Sequence, residues 1–182
     1  VTEIQLLPPK LNPSQKINAP DLCIFLSQHA ARQYLAKVYC EAHRTCTFLA
    51  IGPSTADILK AGGLSVIEPE HASSEGLLAC PTVQSIKADE HVWIFCGEDG
   101  RDILHKSLMQ RCHLSVVTLY RRIVRSIENP SIVNANVILV GSTHGFIAAA
   151  KVWRELGGSL SANFVVPSER VANLSLELGF SR

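Results

Sequence analysis

The sequence has no lopsided charge: 17 Lys and Arg stand against 16 Asp and Glu, a net of +1 with His neutral. That balance gives no bulk electrostatic basis for binding DNA, RNA or a membrane surface, so neither nucleic acid nor membrane is an expected partner. No apolar run approaches the ~20 residues needed to span a bilayer, and Val1-Thr2-Glu3 has no basic region of the kind that opens a secretory signal. No CxxC pair occurs among the cysteines Cys23, Cys40, Cys46, Cys80, Cys96 and Cys112. Buried, reduced thiols in a cytoplasmic protein are the simplest reading. Cys40-x2-His43-x2-Cys46 looks like half a metal site but has no second ligand pair, so no metal is expected. Phosphate loops of the GxxxxGK type, GxGxxG turns and GxSxG nucleophile elbows are all missing. No carboxylate cluster at metal or glycosidase spacing stands out.

What remains is apolar and regular. The 182 residues are 47% hydrophobic and 18% charged, enough for one domain or two small ones with a real core. The stretch Thr47-Phe48-Leu49-Ala50-Ile51-Gly52-Pro53-Ser54-Thr55-Ala56 sets the pattern. A β-branched and apolar run meets Gly-Pro, and a helical pattern with Ile58 and Leu59 follows up to Gly62-Gly63. Glycine lets the chain turn off a strand and proline suits a helix's first turn, with Ser54 or Thr55 expected to cap it. Strands are expected near 21–26, 47–51, 64–67, 91–96, 114–120, 137–140 and 164–166. Helices follow from Ser27, 54, 73, 102, Ser142 and Pro167, and the helix after 101 should bury Ile103, Leu104, Leu108, Met109 and Cys112. Residues 1–20 read as loop after a short apolar start, Ile4 to Leu7, because Pro8, Pro9, Pro13 and Pro20 bar a helix. Strands alternating with helices predict an α/β fold with mainly parallel sheets flanked by helices.

An internal repeat adds architecture. Ile24 to Ala30 resembles Leu139 to Gly145, and Phe48 to Gly63 resembles Phe164 to Gly179, in the same order. Two similar lobes are therefore expected: residues 12–113 as a complete lobe, 124–182 as a second, with 1–11 and 114–123 connecting them. The second has only two strands here, too few for a stable sheet of its own. The expectation is that its first βα unit and its last elements lie outside this sequence.

Six turns precede helices: Ser27-Gln28-His29, Gly52-Pro53-Ser54-Thr55, Ser73-Ser74-Glu75, Gly97 to Arg101, Gly141 to His144, and Pro167-Ser168-Glu169-Arg170. In parallel sheets such turns gather at the strands' carboxyl ends, where backbone N–H groups and hydroxyls suit an anion. Each is also simply a capped helix. Glu98 and Asp99 argue against a nucleotide phosphate in their turn. His29 and His144, just past strand ends, read either as general acids or as polar residues of a helix's first turn.

The motifs carry a resemblance to a known family. Phe48 to Ala56 resembles the AxGxxTA segment of uroporphyrinogen-III synthases, and Ser73-Ser74-Glu75-Gly76-Leu77-Leu78 their SEgLL segment. Ile94 to Arg101 is similar to their strand-then-RGxxGR segment, Leu119-Tyr120-Arg121-Arg122 to their VYRR connector, and Val165 to Ala172 to a PSxRvA variant. The resemblance implies two α/β lobes joined by a pair of strands. It also implies a cyclising lyase of heme biosynthesis, which closes linear hydroxymethylbilane into uroporphyrinogen III. The last pyrrole ring is inverted through a spiro intermediate and water is lost, with no cofactor. The substrate also closes unaided to the unrearranged isomer, so the protein's task is to hold the chain for attack at the substituted carbon.

By the same resemblance Tyr120 is the candidate acid at the leaving hydroxyl, or else a connector tyrosine. Thr55 is a cleft residue or a helix cap, and its repeat equivalent is Val171. Ser27, Gln28, His29, Gly52, Pro53, Ser54, Thr55, Ser74, Gly100, Arg101, Ser142, Thr143, His144, Ser168, Glu169 and Arg170 are the expected contacts to the substrate's carboxylates. Arg101 and Arg122 supply charge or are solvated. The partner is then a linear tetrapyrrole, the protein a cytoplasmic monomer. The rival readings are a non-enzymatic two-lobed sensor of a tetrapyrrole or other polyanion, and an interaction module without a ligand.

Overall fold

The computed structural model describes residues 2–11, 19–98, 102–124 and 130–180. The chain divides into two compact units, residues 5–121 and residues 1–4 with 122–182. The first contains most of a six-stranded sheet in the order β1-β6-β5-β2-β3-β4, where β1 is Thr2–Leu6, β2 Leu22–Phe25, β3 Thr47–Ala50, β4 Val66–Ile67, β5 His91–Gly97 and β6 His113–Val124. β2 pairs in parallel with β3 on one side and β5 on the other, and β3–β4 and β5–β6 are parallel too. Helices cross between them: α1 Gln28–Lys37, α2 Pro53–Ala61, α3 Ser74–Ala79, α4 Pro81–Gln84 and α5 Asp102–Leu108.

A parallel sheet is buried on both faces, so its strands are apolar throughout. All four residues of β2 are buried, and so are Val92 to Gly97 of β5. The two faces differ in kind. Leu22, Ile24, Leu49, Val92 and Ile94 pack with Leu77, Val83, Leu104 and Leu108 into an aliphatic layer. The alternate residues give an aromatic layer, in which Phe25 stacks on Phe95 at 4.9 Å and meets the edge of Tyr34 of α1 at 4.9 Å.

Several expectations need correction. The apolar start is a strand, β1, hydrogen-bonded into the sheet beside β6 and followed by the bond from Leu7 N–H to Leu119 O. Its few residues before Pro8 show too little alternation to be read as a strand by themselves, although the resemblance implies a connecting strand within 1–11. Ile103 and Met109 are 53% and 54% exposed: α5 presents Leu104 and Leu108, one turn apart, to the core, while Ile103 leaves that stripe and Met109 lies past the helix end. Neither Ser54 nor Thr55 caps α2; its N-cap is Gly52, without a side-chain bond. α4 and the 3-10 turns Glu41–Thr45 and Pro130–Asn134 were not anticipated.

The second unit holds β7, Val137–Leu139, parallel to β8, Asn163–Val165, with α6, Thr143–Glu155, and α7, Glu169–Glu177. Its core joins Val140, Phe146, Ala150, Trp153, Val171 and Phe180 with Ile138 and Phe164. Among the described residues no helix is long and apolar enough to cross a membrane.

Candidate functional site

Sheet order locates the first site. β2 is followed spatially by β3 and β4 on one side and by β5 and β6 on the other, so the order reverses between β2 and β5. Ligands of open α/β sheets bind outside the carboxyl ends of the strands at such a reversal. The chain leaving β2 there becomes α1. Ser27 is extended, and its Oγ accepts the Ala30 N–H at 3.2 Å, which fixes the helix's first turn. Gln28 and His29 open that turn, half-buried.

β5 ends at Gly97 with a register shift: Cys96 faces Thr118, but Gly97 faces Tyr120. The extra residue on β6 puts Leu119 and Tyr120, neighbours in sequence, both inside the protein. Tyr120 is only 3% exposed. Its ring lies against Gly97 and its centroid is 5.3 Å from that of His29. The structure therefore brings Tyr120 and His29 together, as the sequence did not foresee. A cavity of 380 Å³ lies close by, lined by Leu7, Pro8, Lys10, Glu98, Val116, Thr118 and Arg121. Lys10, Thr118 and Arg121 were not expected as site residues, although Arg121 lies in the VYRR-like connector, because only the pairing of β6 collects them. Gly100 and Arg101 lie outside the described residues.

The other helix starts divide into capped and uncapped. Ser73 and Ser142 cap α3 and α6 through bonds from Gly76 N–H and Gly145 N–H at 3.0 Å each. Ser74 is thus the first residue of α3, one past the cap. α2 and α7 have no side-chain cap bond. At α2, Pro53 and Ser54 are exposed, Gly52 is enclosed and Thr55 is 3% exposed, its side chain inside. In the second unit the structure joins three of the expected residues. Arg170 donates to Thr143 Oγ1 at 3.1 Å, and Thr143, Glu169 and Arg170 line a 510 Å³ cavity with Asn173, Leu174 and Glu177. Ser142, His144 and Ser168 are exposed near it in sequence.

The Cys40–His43–Cys46 segment does not converge. Cys40 is exposed, while buried His43 takes up the Tyr34 hydroxyl at its Nδ1, 2.9 Å away. The Cys46 thiol is hydrogen-bonded to Cys23, which draws its pKa down, whereas burial pushes the Cys23 thiol up. Among the described residues no group of three or more His, Cys, Asp and Glu is placed to hold a metal ion.

Comparison with known proteins gives consistent matches. The family described as Uroporphyrinogen-III synthase HemD matches residues 7–180. A crystal structure of uroporphyrinogen-III synthetase from Helicobacter pylori 26695 is similar with a TM-score of 0.67 at 15% identity, over 98% of this chain and 80% of that one. The Thermus thermophilus uroporphyrinogen III synthase is similar with a TM-score of 0.52 at 15% identity, over 98% and 79%. Both show a mixed α/β fold of the kind described above.

Proposed function

The chain belongs to the uroporphyrinogen-III synthase family, and from that premise we propose how its residues share the work. The family's activity is that of a cyclising lyase in heme biosynthesis, acting on a linear tetrapyrrole. The observation that carries this reading is the match over residues 7–180, nearly the whole chain.

The substrate carries acetate and propionate groups, and the protein's net charge of +1 offers no general attraction for them. Local donors must therefore hold it. The starts of α2 and α7, which have no side-chain cap, offer their first-turn N–H groups to carboxylates. At α2 the Ser54 N–H makes the contact, since Pro53 has no N–H, the Thr55 N–H is bonded to Gly52 O and the Thr55 side chain is enclosed. At α7 the Arg170–Thr143 pair lines the cavity that would receive a carboxylate, together with Glu169, and Ser168 is the N-cap residue just before Glu169. Ser27, Gln28, Ser74, Ser142 and His144 extend the same scheme to the remaining helix starts. Arg121 and Lys10 add positive charge at the cavity beside β6.

Tyr120 is the proton donor to the departing hydroxide. Its near-complete enclosure removes competing water, and a hydrogen bond that strengthens as charge develops gains most in such surroundings. The two compact units correspond to the family's two lobes, joined where β1 and β6 each begin in one unit and end in the other. The protein acts as a cytoplasmic monomer, without cofactor, metal or nucleic acid.

Single-turnover kinetics of Tyr120→Phe test the assignment. A donor acting in the transition state typically contributes about 10²–10⁴-fold, so the rate should fall by that order while product affinity stays near wild type. Part of the lost flux should appear as the unrearranged isomer, which forms unaided. Wild-type rate and isomer ratio in the variant would reduce Tyr120 to a structural residue.

A further inference from the structure

We propose that His29 is a positioning residue for the cyclisation, holding the Tyr120 phenol in its reactive orientation; this rests on the reading of Tyr120 as proton donor. The inference comes from what surrounds the phenol where the sheet order reverses. β2 stays paired with β5 to its own end, where Leu26 N–H is bonded to Phe95 O at 3.0 Å, and β5 runs on through Cys96 and Gly97. Just beyond, the register shift at Cys96 and Gly97 turns Tyr120 toward β5. There the phenol meets bare backbone. A Cβ on Gly97 would lie 2.6 Å from Tyr120 Cζ and 3.0 Å from its hydroxyl oxygen, so glycine alone leaves room for this ring.

Gly97 thus sets how close the ring approaches β5 but cannot hold it there, because a hydrogen atom offers no side chain to pack. His29 provides that contact. Its ring is inclined at 57° to the phenol with centroids 5.3 Å apart, within the range of favourable edge and tilted ring pairs. The imidazole is itself held by position: it sits in the first turn of α1, which the Ser27 cap fixes. A residue two positions past the N-cap of one βα unit therefore sets the orientation of a side chain on another strand, and strand order is what makes them neighbours.

Orientation carries weight in this reaction. The uncatalysed closure gives the wrong isomer, so a donor that wanders loses both rate and outcome, and a displacement of ~1 Å can cost about 10²-fold. His29 is half-buried rather than in the core, so replacing it leaves the aliphatic and aromatic layers intact.

The test is a double-mutant cycle on the full chain, with kcat, KM and isomer ratio measured, and the fold of each variant checked by its thermal transition. His29→Ala should lower kcat by about 10-fold or more with KM within about two-fold, and raise the share of the unrearranged isomer. His29→Phe, which keeps a ring against the phenol, should recover most of that loss. In the Tyr120→Phe background His29→Ala should add little, because coupled residues are not additive. Proton NMR should show the Tyr120 ring resonances shifted in His29→Ala and largely restored in His29→Phe. If Tyr120→Phe is slow while His29→Ala is not, the donor reading stands and the positioning role is wrong. A rise in KM alone would make His29 a substrate contact, and fully multiplicative effects would separate the two residues; either overturns the proposal. A neutral Tyr120→Phe overturns the donor reading itself, and this inference with it.

Discussion

The two halves of the internal repeat have the same local build and very different surroundings. β2-α1-β3-α2 and β7-α6-β8-α7 each make a parallel strand pair with two helices. Ser27 and Ser142 cap their first helices in the same way, and each second helix ends at a glycine in the left-handed region, Gly63 at φ 84° and Gly179 at φ 80°. In the first half the pair sits inside a larger sheet, and β2 is wholly buried. In the second, the sheet has two strands, Ile138 and Phe164 face the core, and Val137, Leu139 and Val165 are exposed. Local sequence therefore sets caps, turns and strand pairing. Burial comes from neighbours that the repeat does not contain.

That difference predicts where the chain is sensitive. Ile94, fully buried in β5, is the more exposed to damage in this sense: Ile94→Ala should destabilise by about 2–5 kcal/mol, as large-to-small core changes do. Leu139, at 79% exposure, should tolerate Leu139→Ala within about 0.5 kcal/mol. Urea midpoints with unchanged slope would show it. Equal losses at the two sites would mean that the outer face of β7 is not free in solution.

The caps offer a finer contrast. Ser27→Ala and Ser142→Ala each remove a bond to a first-turn N–H and should cost about 1 kcal/mol. Ser168 makes no such bond, so Ser168→Ala should change thermal stability by only a few tenths of a kcal/mol. A Ser168 cost as large as that of Ser142 would contradict the division into capped and uncapped starts, and with it the availability of α7's donors.

The smallest effect is one of pH and belongs to the first unit alone. Burial lowers the pKa of His43 below its ordinary 6.5, so the folded state prefers the neutral ring. Its contribution is complete above about pH 6.5 and is lost as the pH falls below that value, because the unfolded chain then binds the proton more readily. Urea unfolding at pH 7.5 and 5.5 should show wild type losing more stability than His43→Gln. Parallel losses would remove His43 as the cause.

Much of this was legible in the sequence, and what was not has a common physical origin. The βα alternation, the Ser27 and Ser142 starts and the repeat followed from turn chemistry and local apolar runs. β1 was legible only through the resemblance, which implies a connecting strand, because its pairing with β6 is remote in sequence, and Ile103 was misplaced because apolar character does not say which stripe of a short helix faces in. The contact of His29 with Tyr120 depends on sheet order and on one shifted register, neither of which is written locally. Thr55 was readable as a cap or a cleft residue, and the structure makes it an enclosed third residue of α2.

The most direct test of the whole account is product identity. The protein, as the full chain, is mixed with hydroxymethylbilane, the product is oxidised, and isomers I and III are resolved. The account predicts uroporphyrinogen III in excess, formed faster than the unaided closure. Isomer I alone, at the rate seen without protein, would contradict it and leave only the non-catalytic readings, a tetrapyrrole or polyanion sensor or an interaction module without a ligand.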